Sequence, residues 1–320
     1  MDLPHYSLDR IQSVASLSRA LGLSESKLRR EARRAPSQYI GPIPKPKKNS
    51  GIRYVYDTKP PLKNLLKRIN QVFLKKVHYP NYLTGSLPNK NYVSHVALHA
   101  SAHYAITEDI KGFFDFVSAH HVYRVWHHFF GFSEAVAILL TQLTTKDGHI
   151  YQGAPTSSYL ANLVFWDRES ALVNTLVSRC IRYSRYVDDI TLTSTNPFGA
   201  DDRSWAIAKV YGMIGATGFK PRRDKHQSMT SAEPIIIMGL NANGKSGPTI
   251  PQKEQANIRA MVFQLEKRAA QEGANPELIG DLNRTAAKVG KLKRLHPKNW
   301  AALRARLDKI RVAIKGFEVN

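Results

Sequence analysis

Two adjacent acidic residues, Asp188 and Asp189, lie between two runs rich in β-branched and aromatic residues, 181–187 and 190–194. The runs alternate as the strands of a hairpin do, and the pattern predicts Asp-Asp as the turn, with Val187 only a spacer. Carboxylates this close repel and raise each other's pKa unless a cation neutralises them. The pair suits metal-dependent chemistry, although Asp is also common in ordinary solvated turns.

A third acid, Asp109, ends a strand-like run over 104–109, and Gly112 is predicted to turn the chain toward a helix. Side chains at the carboxyl end of a strand lie where open sheets bind their ligands. Three acids on adjacent strand ends could hold two Mg²⁺ ions ~3.5–4 Å apart, which activate a hydroxyl and stabilise a leaving pyrophosphate. Mg²⁺ prefers hard oxygen ligands, and these residues supply only those.

The composition indicates a polyanionic partner. The 320 residues include 47 Lys and Arg against 25 Asp and Glu, a formal charge of +22. Nucleic acid fits such an excess first, and an anionic membrane surface second. A single cysteine excludes an internal disulfide framework and a Cys-based zinc site. With no apolar run of about 18 residues and no signal-peptide pattern, we expect a cytoplasmic protein without a membrane partner.

The N-terminal part is predicted to be helical and then to form a basic hairpin. Residues 7–34 are typical of two or three short helices, and 17–28 has helix-turn-helix spacing. A packed helical cap is the favoured interpretation, and a DNA-reading motif the alternative. Segment 43–56 predicts a hairpin turning at Asn-Ser-Gly, which could present basic side chains to phosphates or be a solvated edge strand. Its basic residues are Lys47, Lys48 and Arg53, and a basic helix over 60–77 follows.

Histidines recur at four-residue spacing at His95, His99 and His103, which would place them on one face of a helix. Zinc is one interpretation. No Glu or Cys accompanies them, so histidines in the core or facing RNA are favoured.

The second half of the chain is predicted to alternate helices with short strands and basic loops. A Gly-Pro turn at 153–155 opens a helix running to about residue 178, and another helix covers 203–217. Further predictions are a basic loop over 218–226, a buried strand over 235–240 and three basic helices over 251–315. Positive helices of this kind suit the backbone of a nucleic-acid duplex.

Residues 239–246 satisfy the phosphate-loop pattern G-x-x-x-x-G-K-[ST], with Lys245 at the lysine position. Such a loop needs a helix that starts at the lysine, so that backbone amides hold the phosphates. Pro248 and Pro251 follow instead and forbid that helix. A strand-turn-strand is therefore predicted, and an ATPase is disfavoured.

The ordered set of motifs resembles motifs A to D of reverse transcriptases, and bacterial retron reverse transcriptases in particular. The set comprises Asp109-x-x-x-Phe-Phe, Gln152-Gly-Ala-Pro, Tyr186-Val-Asp-Asp and Gly218-Phe with Lys225. The resemblance implies an α+β right-hand polymerase fold with a ferredoxin-like or RRM-like palm, fingers and a short all-helical thumb. The implied parts are a helical cap over 1–38, fingers and palm over 39–240, and an RNA- or duplex-binding thumb over 241–320.

The resemblance also implies roles for individual residues. Asp109, Asp188 and Asp189 would bind two Mg²⁺ ions, with Mn²⁺ as a substitute, and the Ile110 carbonyl would assist. The implied nucleotide contacts are Phe114 as a steric gate against the ribose 2′-hydroxyl, Gln152 at the incoming nucleotide, Arg53 at its triphosphate and Lys225 as proton donor to pyrophosphate. Residues 237–240 would lie near the primer end.

The function implied is RNA-directed DNA polymerisation. A retron enzyme copies part of a structured noncoding RNA into msDNA, a branched RNA–DNA hybrid, using dNTPs. Further partners implied are an effector or toxin protein in anti-phage defence and a host RNase H, since the chain has no room for its own. His95–His99 keeps only the His of the retron element, Ile237–Gly239 departs from Val-Thr-Gly, and Ser158 replaces a Pro. A group II intron-like or other phage-defence reverse transcriptase is the alternative, and a non-catalytic nucleic-acid-binding module is a further one.

Overall fold

A computed structural model describes residues 2–47, 51–196, 198–244, 247–272 and 275–317, with side chains to 314. Lys48 and the Asn49-Ser50 part of the predicted turn lie outside the described residues, as do Lys245 and Ser246 of the phosphate-loop pattern. The chain divides into two compact units, one of Met1–Leu98 with Tyr104–Met229 and one of His99–His103 with Thr230–Asn320. The predicted boundaries of cap, fingers with palm, and thumb stay a prediction.

The first unit begins with helices and an exposed hairpin. Its elements are α1 (Val14–Leu21), α2 (Glu25–Arg34), β1 (Tyr39–Pro46), β2 (Ile52–Thr58), α3 (Pro60–Val72) and α4 (Tyr92–Ala97). Ser13 caps α1 by accepting from the Ser16 amide, and Gly22 ends it in the left-handed conformation. The predicted short helices and the hairpin are confirmed, and the helix predicted over 60–77 ends earlier, at Val72.

The rest of the first unit builds a sheet with helices packed on it. Its elements are β3 (Tyr104–Asp109), α5 (Phe113–Phe116), α6 (Ala119–Arg124), α7 (Glu134–Thr144), α8 (Ser157–Leu163), α9 (Glu169–Val177), β4 (Ile181–Tyr186), β5 (Asp189–Ser194), α10 (Ala200–Ala216) and β6 (Gln227–Thr230). Within the described residues the strands lie in the order β4-β5-β3-β6, and β5 pairs antiparallel with both neighbours. The predicted mixture of helix and sheet is confirmed.

The second unit consists of a small hairpin and long helices. These are β7 (Ile236–Ile237), β8 (Leu240–Asn241), α11 (Gln252–Glu272), α12 (Pro276–Leu295) and α13 (Pro297–Phe317). The three helices predicted at the C-terminus are confirmed over the described part of the chain. Buried aliphatic side chains at helical spacing, such as Ile258, Val262 and Leu265 on α11, form the core of this unit. No helix among the described residues combines the length and the apolarity that crossing a bilayer requires.

Three predictions of secondary structure were wrong. The helix predicted from 153–155 to about 178 is two helices, because the chain turns between Leu163 and Glu169 so that the Glu169 carboxylate is buried. The strand predicted over 235–240 is a hairpin, since Met238 and Gly239 both take positive φ, of 50° and 80°. The helix carrying His95 ends at Ala97, so His95, His99 and His103 do not share a helix face.

The turn of the acidic hairpin differs from its prediction by one residue. Tyr186 pairs with Asp189 across the hairpin, so the turn residues are Val187 and Asp188, and Asp189 is the first residue of β5. Val187 has φ of 61°, a conformation rare for a β-branched residue. The two acids are therefore held by different elements, one by the turn and one by a strand.

Candidate active site

A cleft of about 1180 Å³ in the first unit is lined by the eight residues to which a catalytic, metal-binding or nucleotide-binding role was assigned. These eight residues are Arg53, Asp109, Ile110, Phe114, Gln152, Asp188, Asp189 and Lys225. They come from segments up to 172 positions apart in the chain (225 minus 53), and the fold brings them together.

The sheet places the three acids at one edge. Asp109 ends β3 directly opposite Asp189, the first residue of β5. The Ile110 amide then donates to the Asp188 carbonyl at 3.1 Å, which ties the end of β3 to the hairpin turn. The antiparallel register of β3 and β5 thus brings Asp109 next to the Asp188-Asp189 pair, as was predicted from their positions at strand ends.

Burial and charge repulsion make the acid pair hard to ionise. Burial, together with the nearby charge of Asp109, raises the pKa of Asp188 to about 6. Burial raises the pKa of Asp189 to about 7, and the charges of Asp188 and Asp109 add to the effect. Lys225 opposes these shifts in both groups, but one ammonium does not balance three carboxylates.

Lys225 enters the cleft on a short helical turn, Arg223–Lys225, that is fastened to β3. Its Nζ lies 2.5 Å from Asp109 Oδ2, and the Arg222 amide donates to the Asp109 carbonyl at 2.7 Å. His226 Nδ1 lies 2.6 Å from the buried Glu108 carboxylate on the same strand. The backbone and side-chain contacts together hold the lysine next to the acids.

The donor set of the cleft fits a hard divalent cation. Within the described residues no three His, Cys, Asp or Glu side chains converge as a ready-made metal site. Asp109 instead forms an ion pair with Lys225, so the ammonium supplies the countercharge beside that carboxylate. Asp188 and Asp189 offer only oxygen ligands and carry raised pKa values that a cation would reverse. Mg²⁺ and Mn²⁺ bind carboxylate oxygens of this kind, whose negative charge is not neutralised by nearby cations.

The hairpin β1–β2 forms a basic wall of the cleft. Lys47 and Arg53 both line the cleft, and neither forms an ion pair among the described residues. Exposed apolar side chains, Ile52 and Tyr54, accompany them on β2. Unpaired cations beside aromatic groups suit the phosphates and bases of a nucleotide.

Gln152 is fixed by a contact between its own loop and the basic hairpin. The Tyr56 amide donates to the Gln152 carbonyl at 2.8 Å, and the rings of Tyr56 and Tyr151 lie 4.1 Å apart. Gly153, at φ of 113°, passes so close that a Cβ there would lie 2.1 Å from the Tyr56 carbonyl oxygen. Tyr56 and Tyr151 also line the cleft, and nothing local in the sequence signals this long-range contact.

The two phenylalanines after Asp109 lie in different surroundings, Phe113 in the core and Phe114 at the cleft. Phe113 is buried against the rings of Phe165 and Phe219, at centroid distances of 5.9 and 5.2 Å. Phe114 is half-buried and lines the cleft. Gly112, in the left-handed conformation, starts the short helix that separates their directions. The steric-gate role of Phe114 stays a prediction.

Two of the three histidines at four-residue spacing, His95 and His99, belong to the interior, whereas His103 is exposed. His95 and His99 are fully buried, and His95 contacts the hydroxyls of Thr84, Ser184 and Thr191 at 2.7 to 3.2 Å. Burial lowers the pKa of His95 to about 4, so the ring is neutral at pH 7. Its hydroxyl partners connect the loop before α4 to β4 and β5.

The described residues of the helix-turn-helix-like segment and of the phosphate-loop pattern do not line the cleft. The helix-turn-helix-like segment forms α1 and α2, whose Leu17, Leu21 and Leu28 are buried as a packed cap requires. After the phosphate-loop pattern the next helix in the described chain starts at Gln252.

The sequence of the chain is similar to those of known reverse transcriptases. Residues 43–242 match the family model described as reverse transcriptase (RNA-dependent DNA polymerase). The retron Se72 reverse transcriptase of Salmonella heidelberg (strain 579083-10) is 29% identical over 100% of this chain and 85% of its own length. The retron Ec48 reverse transcriptase of Escherichia coli is 29% identical over 94% of this chain and 76% of its own. Among solved structures, apo telomerase from Candida tropicalis aligns with 83% of this chain and 55% of its own at 10% identity and a TM-score of 0.48.

Proposed function

Because this chain belongs to the reverse transcriptase family, the RNA-dependent DNA polymerases, we propose that the cleft is its polymerase active site and that the enzyme is of the retron type. The observation that carries the proposal is the convergence of the eight predicted residues on one cleft with an acidic edge and a basic wall. Phosphoryl transfer needs mainly positioning and positive charge, and both are available in such a cleft.

Each residue has a role that suits its surroundings. Asp109, Asp188 and Asp189 would hold divalent cations, with the Ile110 carbonyl assisting. When bound there, Mg²⁺ supplies an activated attacking hydroxyl and charge stabilisation of the leaving pyrophosphate. Lys225, beside Asp109, would give a proton to that pyrophosphate, for which an ammonium within hydrogen-bond reach is suited.

The remaining cleft residues would bind the nucleotide. Arg53 would contact the triphosphate, since guanidinium groups bind phosphates in a bidentate manner. Gln152 would contact the incoming dNTP, and Phe114 would exclude a ribose 2′-hydroxyl. Residues 237–240 would lie near the primer end, and the helices α11 to α13 would bind the duplex as a thumb.

We assign the template by analogy with the retron relatives. The enzyme would copy part of its own structured noncoding RNA into msDNA in the cytoplasm. An effector protein and a host RNase H would complete an anti-phage system. These partners rest on the resemblance to retron enzymes over the whole chain.

Primer extension on an RNA template tests the active site. With Mg²⁺ and dNTPs, the wild-type chain should extend a primer and Asp188→Ala/Asp189→Ala should give no detectable product. The matched control is Asp201→Ala/Asp202→Ala, another adjacent acid pair, in the first turn of α10 away from the cleft. It should retain activity within about twofold, as exposed substitutions usually do. Equal extension by both double variants would overturn the assignment.

Sequencing of copurified nucleic acid tests the retron type. Nucleic acid bound to the expressed protein should contain a short DNA joined to RNA, and its DNA end should be readable only after debranching. An active polymerase that carries no branched product would favour the group II intron-like or another phage-defence alternative.

A further inference from the structure

A strained turn carries Asp188 and leads directly into Asp189 at the start of β5. Val187 is buried, β-branched and held at φ of 61°, in the left-handed region that such residues rarely adopt. Strained backbone persists only where surrounding contacts over-determine it. The contacts around Val187 therefore identify what keeps Asp188 in place.

Arg185 makes the main contact beneath this turn. Its guanidinium is fully buried, and Nη1 donates to the Val187 carbonyl at 2.8 Å. Nε and Nη2 donate to the two carboxylate oxygens of Glu169 at 2.6 and 2.7 Å. The bidentate pair fixes the plane of the guanidinium, and that plane aims Nη1 at the peptide between Val187 and Asp188.

Two further residues, Asn162 and Gly85, complete the contacts that hold the turn. Nη2 of Arg185 also donates to the Asn162 carbonyl at 2.9 Å, and Asn162 Nδ2 donates to the Gly85 carbonyl at 2.8 Å. Gly85 packs so closely on the turn that a Cβ there would lie 2.5 Å from the Val187 nitrogen. The turn is thus held from one side by Arg185 and from another by the backbone at Gly85.

We propose that Arg185 and Glu169 are positioning residues that fix the Val187–Asp188 peptide and so aim Asp188 and Asp189 for cation binding. The inference rests on the proposed function, in which these two acids hold the cations. Neither positioning residue lines the cleft. The hydrogen bond from Arg185 acts through the backbone, as residues behind metal ligands commonly do, and the Arg185 charge also lowers the pKa of Asp188 against the rise that burial causes.

The contrasting interpretation is that the ion pair only stabilises the fold. Buried ion pairs often contribute little to stability, because removing two charges from water offsets their attraction. Glu169 Oε1 also accepts from the Tyr183 hydroxyl at 2.6 Å, a buried hydrogen bond that does not involve the turn. Tyr183 therefore provides a matched control, since its loss weakens the same buried cluster and leaves the Val187 contact intact.

Binding of Mn²⁺ to the full chain tests the inference without polymerase activity. Free Mn²⁺ would be titrated by electron paramagnetic resonance for wild type, Arg185→Lys and Tyr183→Phe. Arg185→Lys keeps a positive charge beside Glu169 but removes the Nη1 group that donates to the Val187 carbonyl. We expect it to weaken Mn²⁺ binding about tenfold or more and to lower kcat, with the KM for dNTP little changed. Tyr183→Phe should bind Mn²⁺ as wild type does.

A double variant covers the case in which Arg185→Lys does not fold. Arg185→Met/Glu169→Leu replaces the pair by apolar groups of similar size, which buried pairs often tolerate. Folding would be checked by circular dichroism, and the variant should still lose Mn²⁺ affinity about tenfold. Wild-type Mn²⁺ affinity in whichever of the two variants folds, or an equal loss in Tyr183→Phe, would overturn the inference. Undiminished Mn²⁺ binding by Asp188→Ala/Asp189→Ala would instead overturn the proposed function on which it rests.

Discussion

Two antiparallel hairpins line the same cleft and differ in charge and in burial. The hairpin β1–β2 is exposed along most of its length and presents Lys47 and Arg53. The hairpin β4–β5 is buried along most of its length and presents Asp188 and Asp189. Exposed cations reach a ligand with few contacts from the rest of the protein. Buried acids repel one another and must be held in place by distant parts of the chain.

The difference predicts that the two hairpins respond differently to substitution. A change at the buried hairpin should reduce both stability and function, because its geometry depends on close packing. A change at the exposed hairpin should reduce ligand binding and leave stability nearly unchanged. Four predictions test this contrast.

The largest effect is expected at Gly85, the backbone contact beneath the buried hairpin. Gly85→Ala would place a Cβ 2.5 Å from the Val187 nitrogen, so the turn must move. We expect a loss of about 3 kcal/mol in the free energy of unfolding, measured with urea, and a loss of primer extension. Gly212→Ala is the control, since its Cβ in helix α10 meets nothing within 4 Å. That variant should gain about 0.5 kcal/mol, and a Gly85 variant as stable as it would contradict the close packing.

Acid should destabilise the buried hairpin through His95. The folded pKa of His95, about 4, lies below its ordinary value of 6.5, so the unfolded chain binds the proton first as the pH falls. This contribution to stability is present above the unfolded pKa of 6.5 and is lost as the pH falls toward the folded pKa, and the loss reaches about 2 kcal/mol at pH 5. Urea unfolding at pH 7.5 and 5.0 should therefore show a smaller pH effect in His95→Gln than in wild type. An identical pH effect in the two proteins would refute the role of His95.

Between the hairpins, Phe114 should control which sugar enters the cleft. Phe114→Ala should lower the preference for dNTP over rNTP by about tenfold or more, measured as the ratio of kcat/KM values. Phe116→Ala is the control, because Phe116 is 57% exposed and does not line the cleft. Unchanged sugar preference in the Phe114 variant would exclude it as the gate.

The smallest effect on the fold is expected at the exposed hairpin. Arg53→Ala should raise the KM for dNTP about tenfold, the value of one hydrogen bond to a charged group, with Tm nearly unchanged. Lys45 pairs with Arg53 across the hairpin but does not line the cleft, so Lys45→Ala is the control. Equal KM values in these two variants would indicate that the hairpin acts only through its overall charge. A large fall in Tm would instead remove the contrast between the hairpins.

Much of the site was predictable because its residues carry local signals. Asp109, Gln152 and the Asp188-Asp189 pair lie in short motifs whose order along the chain resembles reverse transcriptases, and the family is confirmed. The strands around these acids could be read from alternation, since side-chain direction in a strand follows from local geometry. The roles assigned to the site residues stay predictions.

The errors occurred where distant contacts override local preference. The break after Leu163 lies inside a stretch with helical spacing, and Glu169, at the start of the next helix, is buried against Arg185 and Tyr183. No neighbour in sequence reveals those contacts, since Glu169 and Arg185 are 16 positions apart. The end of α4 before His99 could not be read from the four-residue spacing of the histidines either.

The acidic turn combines what the sequence determined and what only the tertiary structure decided. The sequence by itself determined that a hairpin would present two adjacent carboxylates, because alternation and turn chemistry are local properties. Only the tertiary structure decided that Val187 would enter the turn at positive φ, supported by Arg185 and by the backbone at Gly85. A strained conformation has no signal in the residue that adopts it, since it exists only where packing from elsewhere in the chain holds it.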